Sequence, residues 1–85
     1  MKHFADASFW SCYHKLPLAV QEAADKNFQL LKQSPNHRSL HLKRINEFWS
    51  VRVGMSYRVL GVSSNDGDLV WFWIGTHREY ERLIK

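Results

Sequence analysis

The apolar residues change their period once, at Pro35, and that change decides the fold class. Before it they recur at helical spacing: Phe9, Tyr13 and Leu16, then Val20, Ala24, Phe28 and Leu31, with Ala23 and Leu30 widening the stripe. Glu22, Asp25, Lys26, Gln29 and Lys32 fall mainly on the other side. Asp6 suits the cap of a first helix over residues 7–15, with Trp10 beside Tyr13. Pro17 suits the first turn of a second helix running from about Leu18 to Gln33. Pro35 ends it, because the residue before a proline is pushed out of the helical region. The two helices form a hairpin with one apolar face, and that face needs a cover.

From Ser39 onward the apolar residues alternate. S-L-H-L-K-R-I sets Leu40 and Leu42 against His41 and Lys43, the pattern of a half-buried strand. F-W-S-V-R-V puts Trp49, Val51 and Val53 on one face and Phe48, Ser50 and Arg52 on the other. Y-R-V-L-G-V-S follows the turn G-M-S, and N-D-G-D marks a hairpin with Gly67 free to take positive φ. L-V-W-F-W-I is apolar on both faces, which predicts a central strand. Thr76, with Glu79 three residues on, forms a capping box that opens a short last helix. The predicted fold is therefore α+β. An N-terminal helical hairpin packs on an antiparallel sheet of residues ~38–76, a short C-terminal helix follows, and one domain spans 1–85. Phe28, Leu31, Val51, Val59, Phe72 and Ile74 are the expected core.

Composition narrows the functional classes. With 45% hydrophobic residues and 14% aromatic, the 85-residue chain is not a disordered one. Its lone Cys12 excludes an intramolecular disulfide framework and fits a reducing compartment; no base or cation is arranged around it, so it reads as a buried structural thiol. No apolar run approaches the ~18 residues of a membrane span, and the N-terminus lacks a signal-peptide core, so the expectation is a soluble, cytoplasmic protein with no membrane partner. Twelve Lys and Arg against eight Asp and Glu give +4, which suggests a polyanion or an acidic protein as partner.

The turn at Gly54 gives that charge a location. A two-residue turn would set Arg58 opposite Val51. The three-residue turn Gly54-Met55-Ser56 pairs Val53 with Tyr57, Val51 with Val59 and Arg52 with Arg58. The second register keeps the valines together and is the one predicted, with both arginines on the face away from the helical hairpin. Like charges directly opposite each other are destabilising, so the pair either holds an anion or is merely solvated. His77 and Tyr80 share a face of the last helix, at the end of the apolar strand and beside a helix N-terminus. Two Arg, one His and one Tyr can serve a phosphodiester: Arg for transition-state charge, His and Tyr for protons.

Other groups carry less. His37 and His41 are four apart, but in a loop and a strand, so no metal site and no cofactor is expected. His3 and His14 read as surface, Trp71 and Trp73 as core, and Trp10 and Trp49 as able to line a partner groove.

Taken together, the two helices, S-L-H-L-K, W-S-V-R-V-G-x-x-Y-R-V-L and W-I-G-T-H-R-E-Y-E resemble the RelE/ParE superfamily of toxins from bacterial type II toxin–antitoxin systems, from about Phe9 to Leu83. The resemblance implies a helical hairpin on an antiparallel sheet. It also implies a first strand before the hairpin, for which residues 1–5 leave room for a very short one at most. It implies one of two activities: cleavage of messenger RNA, usually in the ribosomal A site, or non-enzymatic inhibition of DNA gyrase. An inactive relative that survives as a binding module is the third reading. On the ribonuclease pattern Arg52 and Arg58 match the middle-strand basic positions and His77 and Tyr80 the C-terminal ones. Lys43, Arg44 and Arg78 are the further phosphate or RNA contacts, and Lys43 and Glu47 the only candidates for an extra middle-strand lysine or carboxylate. The partners implied are a cognate antitoxin and messenger RNA.

Overall fold

The structure, a computed structural model, describes residues 2–85. Strand β1 is His3–Ala5, followed by helices α1 (Ala7–Tyr13) and α2 (Leu18–Gln33). A 3-10 turn at Arg38–Leu40 leads to strands β2 (Lys43–Ile45), β3 (Phe48–Val53), β4 (Tyr57–Ser63) and β5 (Leu69–Thr76), and helix α3 (His77–Ile84) closes the chain. Asp6 caps α1 as expected, its carboxylate accepting from the Phe9 N–H at 3.0 Å. The carbonyl of Pro17 starts α2 by accepting from Val20 and Gln21. No helix among the described residues is long and apolar enough to cross a membrane.

The five strands form one sheet in the order β1-β5-β4-β3-β2. All neighbours are antiparallel except β1, which runs parallel to β5. The sheet is therefore mixed rather than wholly antiparallel, and the short first strand is present, covering β5. The other correction lies at S-L-H-L-K. Its start is a 3-10 turn, with the His37 ring accepting from the Ser39 N–H, and His41 takes the left-handed conformation at φ 48. Regular pairing thus begins only at Lys43, although Leu40 is still fully buried.

Valines from β3 and β4 meet the helical hairpin. Val51, Val53, Val59, Trp71 and Ile74 pack against Phe9, Ala24, Leu31 and Leu40, all buried. Phe28 is half-buried at the edge of this cluster, as is Cys12. Phe72 is not in it. The β4–β5 pairing slips after Leu60↔Trp73 to Gly61↔Trp71, so Phe72 is the extra residue of a bulge. It sits half-buried on the opposite face, its ring 5.8 Å from that of Phe48. His3 is not a free surface group either: it is half-buried, and its Nδ1 accepts from the Trp71 indole N–H at 3.2 Å.

Candidate functional site

Arg52 and Arg58 stand directly opposite each other across β3 and β4, in the register of the three-residue turn. Alternation along both strands puts the valines under α2 and the two arginines on the far face. Ser50 shares that face, and Lys43, its partner on β2, stands beside it. Arg58 is only 6% exposed and Ser50 is fully buried. The one hydrogen bond of the guanidinium among the described residues is a long one, Nη1 to Ser50 Oγ at 3.5 Å. Among the described residues no carboxylate pairs with it; the single ion pair found is elsewhere. Burial holds the Arg58 guanidinium below its ordinary pKa; the Tyr80 phenol opposes this and Arg52 adds to it. A guanidinium nevertheless stays charged in any protein. A buried, unpaired cation is costly unless something fills its hydrogen bonds.

Helix α3 roofs this face. The His77 N–H donates to the Ser56 carbonyl at 2.7 Å, and Asn46 Nδ2 donates to the Ile84 carbonyl at 3.2 Å. These anchors lie in the turns that flank β3, and α3 rests against β5 and β4. The capping box foreseen at Thr76 and Glu79 fixes its start. Tyr80 is thereby pressed onto the sheet, 3% exposed, with the Arg58 guanidinium carbon 5.3 Å from its ring centroid. Its hydroxyl is buried without any hydrogen-bond partner. An orphaned donor typically costs ~1–3 kcal/mol. The buried hydroxyl and the carboxylate-free guanidinium, with Arg52 opposite, are the donors of a candidate anion cradle.

The remaining predicted residues divide. His77 stacks on Tyr80 at 5.7 Å, but its Nε2 lies 2.9 Å from Glu81 Oε1, both side chains being about half exposed. Arg44 is not in the cradle: it pairs with Trp49 on the helix-facing side, its guanidinium 5.4 Å above the indole ring. Arg78 is exposed on α3 and lines a shallow polar hollow with His77, Glu81, Arg82 and Lys85. Sequence reasoning passed over Ser50 and His41. Ser50 alternates with Arg52 and was findable from the strand pattern alone. His41 reads as an ordinary outward strand residue. Leu40 and Leu42 on either side of it turn to the core and leave it on the other side, and its left-handed backbone, which no residue type announces here, closes the 3-10 turn. No three His, Cys, Asp or Glu side chains among the described residues cluster closely enough to hold a metal ion.

The sequence model for ParE-like toxin domains matches residues 18–82. The chain belongs to this family. Solved structures with the same fold include the RelBE2 toxin–antitoxin complex of Mycobacterium tuberculosis, at TM-score 0.70 and 21% identity, covering 89% of this chain and 96% of that one. The YoeB/ParE toxin of Agrobacterium tumefaciens aligns at TM-score 0.67 and 18% identity, over 91% of this chain and 99% of that one. The RelB–RelE complex of Methanococcus jannaschii aligns at 0.71 and 13%, over 96% and 99%. No curated protein matches the chain in sequence.

Proposed function

We propose that this toxin-family protein is a metal-independent endoribonuclease that cuts messenger RNA, free or held on the ribosome, and is neutralised by a cognate antitoxin. The observation that carries the reading is the buried Arg58 guanidinium, without a carboxylate partner, facing Arg52 and roofed by the unpaired Tyr80 hydroxyl. Such donors suit a phosphate whose charge grows in the transition state, and binding strengthens as that charge develops.

In the reaction the ribose 2′-oxygen attacks the adjacent phosphorus and the bond from phosphorus to the 5′-oxygen breaks. The products are a 2′,3′-cyclic phosphate and a 5′-hydroxyl. Arg52 and Arg58 hold the phosphoryl oxygens, and Tyr80 orients them through its hydroxyl. Lys43, on the same face, meets the neighbouring backbone. His77 gives a proton to the departing 5′-oxygen, which requires its Nε2 to leave Glu81, an exposed pair worth little in water. The antitoxin is supported by the partners of the similar folds, which include toxin–antitoxin complexes.

A second reading, a gyrase inhibitor without catalysis, is favoured by the ParE-like description of the matching family. One induced culture separates the two. The ribonuclease arrests growth and leaves transcripts with new 5′-hydroxyl ends, and Arg58→Ala relieves the arrest with a ~10²–10³ loss of rate. Growth arrest with intact transcripts and blocked supercoiling would overturn the ribonuclease in favour of the inhibitor. No arrest at all favours an inactive relative.

A further inference from the structure

His41 stands at the rim of the same candidate cradle; its backbone N–H donates to the Arg38 carbonyl, but its side chain has no hydrogen-bond partner among the described residues. Three of the other histidines are engaged: His3 accepts from Trp71, His37 from Ser39, and His77 meets Glu81. His14 is exposed on the far side, against the rings of Trp10 and Tyr13. The His41 ring is exposed, and no hydrogen bond among the described residues engages it. Its backbone is left-handed, φ 48 and ψ 47, at the end of the 3-10 turn. Glycine or asparagine would hold that conformation with less strain. A strained residue whose side chain makes no hydrogen bond among the described residues is a candidate for a role outside the fold.

Its place follows from the β2–β3 register. Lys43 lies opposite Ser50. Position 41 lies two residues before Lys43, at the end of β2 that meets the Arg52 end of β3, and with Leu40 and Leu42 turned to the core it faces away from the helical hairpin. The ladder stops before it, and the left-handed turn leaves the ring free at the edge. Desolvation first, and then the charges of Arg58 from β4, Arg52 from β3 and Lys43 from β2, hold its pKa below the ordinary 6.5. An imidazole kept neutral beside three cations is a proton acceptor at neutral pH.

We propose that His41 is the general base of the cleavage, a catalytic residue taking the proton from the 2′-hydroxyl. This rests on the ribonuclease reading. The 2′-oxygen, relieved of its proton by a ring nitrogen of His41, forms the bond to phosphorus. The 5′-oxygen leaves with the proton given by His77, so the two histidines exchange roles when the cyclic phosphate opens. The cations that keep His41 neutral also bind the phosphate, so substrate arrives at a base already deprotonated.

The test is His41→Asn, because asparagine tolerates the left-handed backbone and cannot act as the base. Steady-state cleavage of a short RNA, with ribosomes where the wild type requires them, is followed from pH 5 to 8. The expected wild-type kcat/KM rises with pH through a pKa below 6.5, the ascending limb of a bell whose descending limb belongs to the acid. His41→Asn lowers kcat by ~10²–10⁴ and abolishes that rise, with an unchanged thermal midpoint. Proton NMR of the RNA-free protein supplies a second readout: His41 titrates below 6.5, and Arg58→Met moves it upward. A raised KM with kcat and pH profile intact would make His41 a phosphate contact and overturn the proposal. So would wild-type kcat in His41→Asn. A wild type that cuts no RNA under any condition fails the ribonuclease reading itself, and is told apart because the NMR shift of His41 survives it.

Discussion

The Trp71 indole lies against the α-carbon of Gly61: a methyl group placed on Gly61 would sit 2.6 Å from Trp71 Cε3 and 3.0 Å from Cδ2 and Cζ3. The two residues are paired across β4 and β5 just past the bulge, and Trp71 is 1% exposed. The ring has no room to swing away, so glycine is required by close approach rather than by backbone angle. Gly61→Ala should cost ~1–3 kcal/mol, the usual range for overpacking a filled core. A urea melt checks it: the midpoint should fall with the slope unchanged.

Removing the charge of Arg58 should act in the other direction. Its guanidinium is buried against Tyr80 and Ser50 with no carboxylate partner among the described residues. Arg58→Met keeps the aliphatic length and removes the desolvated charge. Hydrophobic replacements of buried ionic groups are often stabilising by ~1–4 kcal/mol. We expect Arg58→Met at the lower end, with a thermal midpoint higher by ~4–8 °C per kcal/mol for a domain of this size. On the ribonuclease reading cleavage would be lost at the same time, the trade expected where a site is kept strained for use. A lower midpoint would mean that Arg58 is a structural residue.

The two faces of the sheet differ in how openly the sequence announces them. The helix-facing side was legible because Val51, Val53 and Val59 obey one period and the Gly54 turn admits one register that keeps them together. Arg52 and Arg58 followed from that register as a geometric consequence. The exceptions are local backbone events. At His41 the left-handed backbone stops the ladder, whereas the bulge at Phe72 breaks the alternation by one residue, and a change of one residue moves a side chain to the other face. That is why Phe72 left the expected core. Strand β1 was legible only as room for a very short strand, because three residues that pair in parallel with a strand 66 positions away carry no hairpin signal. Arg44 and Arg78 were chosen for charge alone, and charge does not say which face a residue occupies.

The hydrogen bond from Trp71 to His3 predicts a pH dependence. It needs an unprotonated Nδ1, and burial of the ring is the main cause of a lowered pKa. The folded protein thus binds fewer protons than the unfolded chain near pH 6. Stability from this contact is complete above the unfolded pKa of about 6.5 and declines as the pH falls through it. His41, also lowered, contributes in the same sense. Urea midpoints at pH 5, 6 and 7.5 should decline toward acid, and His3→Gln should flatten part of that slope. An equal slope in the variant would assign the effect to other groups.

The last prediction concerns α3, whose eight residues hold Tyr80 over Arg58. An isolated helix of fewer than ~12 residues is marginal in water, so α3 depends on its anchors. Its N-terminal anchor is reciprocal. Glu79 Oε1 accepts from the Thr76 N–H and Oγ1, each at 2.9 Å, and the Glu79 N–H donates to Thr76 Oγ1 at 3.1 Å. Thr76→Ala removes the hydroxyl and should cost ~1 kcal/mol. The loss should be local as well as global: amide exchange at residues 77–84 should speed up more than that of β4 and β5. The hydrogen bonds from Thr76 hold the Glu79 carboxyl below its ordinary pKa. That contribution is present above the unfolded value and fades as the pH falls through the folded one, so acid should loosen α3 in the wild type as the substitution does. Unchanged exchange in Thr76→Ala would place the hold on α3 elsewhere, in the packing of Tyr80 and in the bond from Asn46 to Ile84.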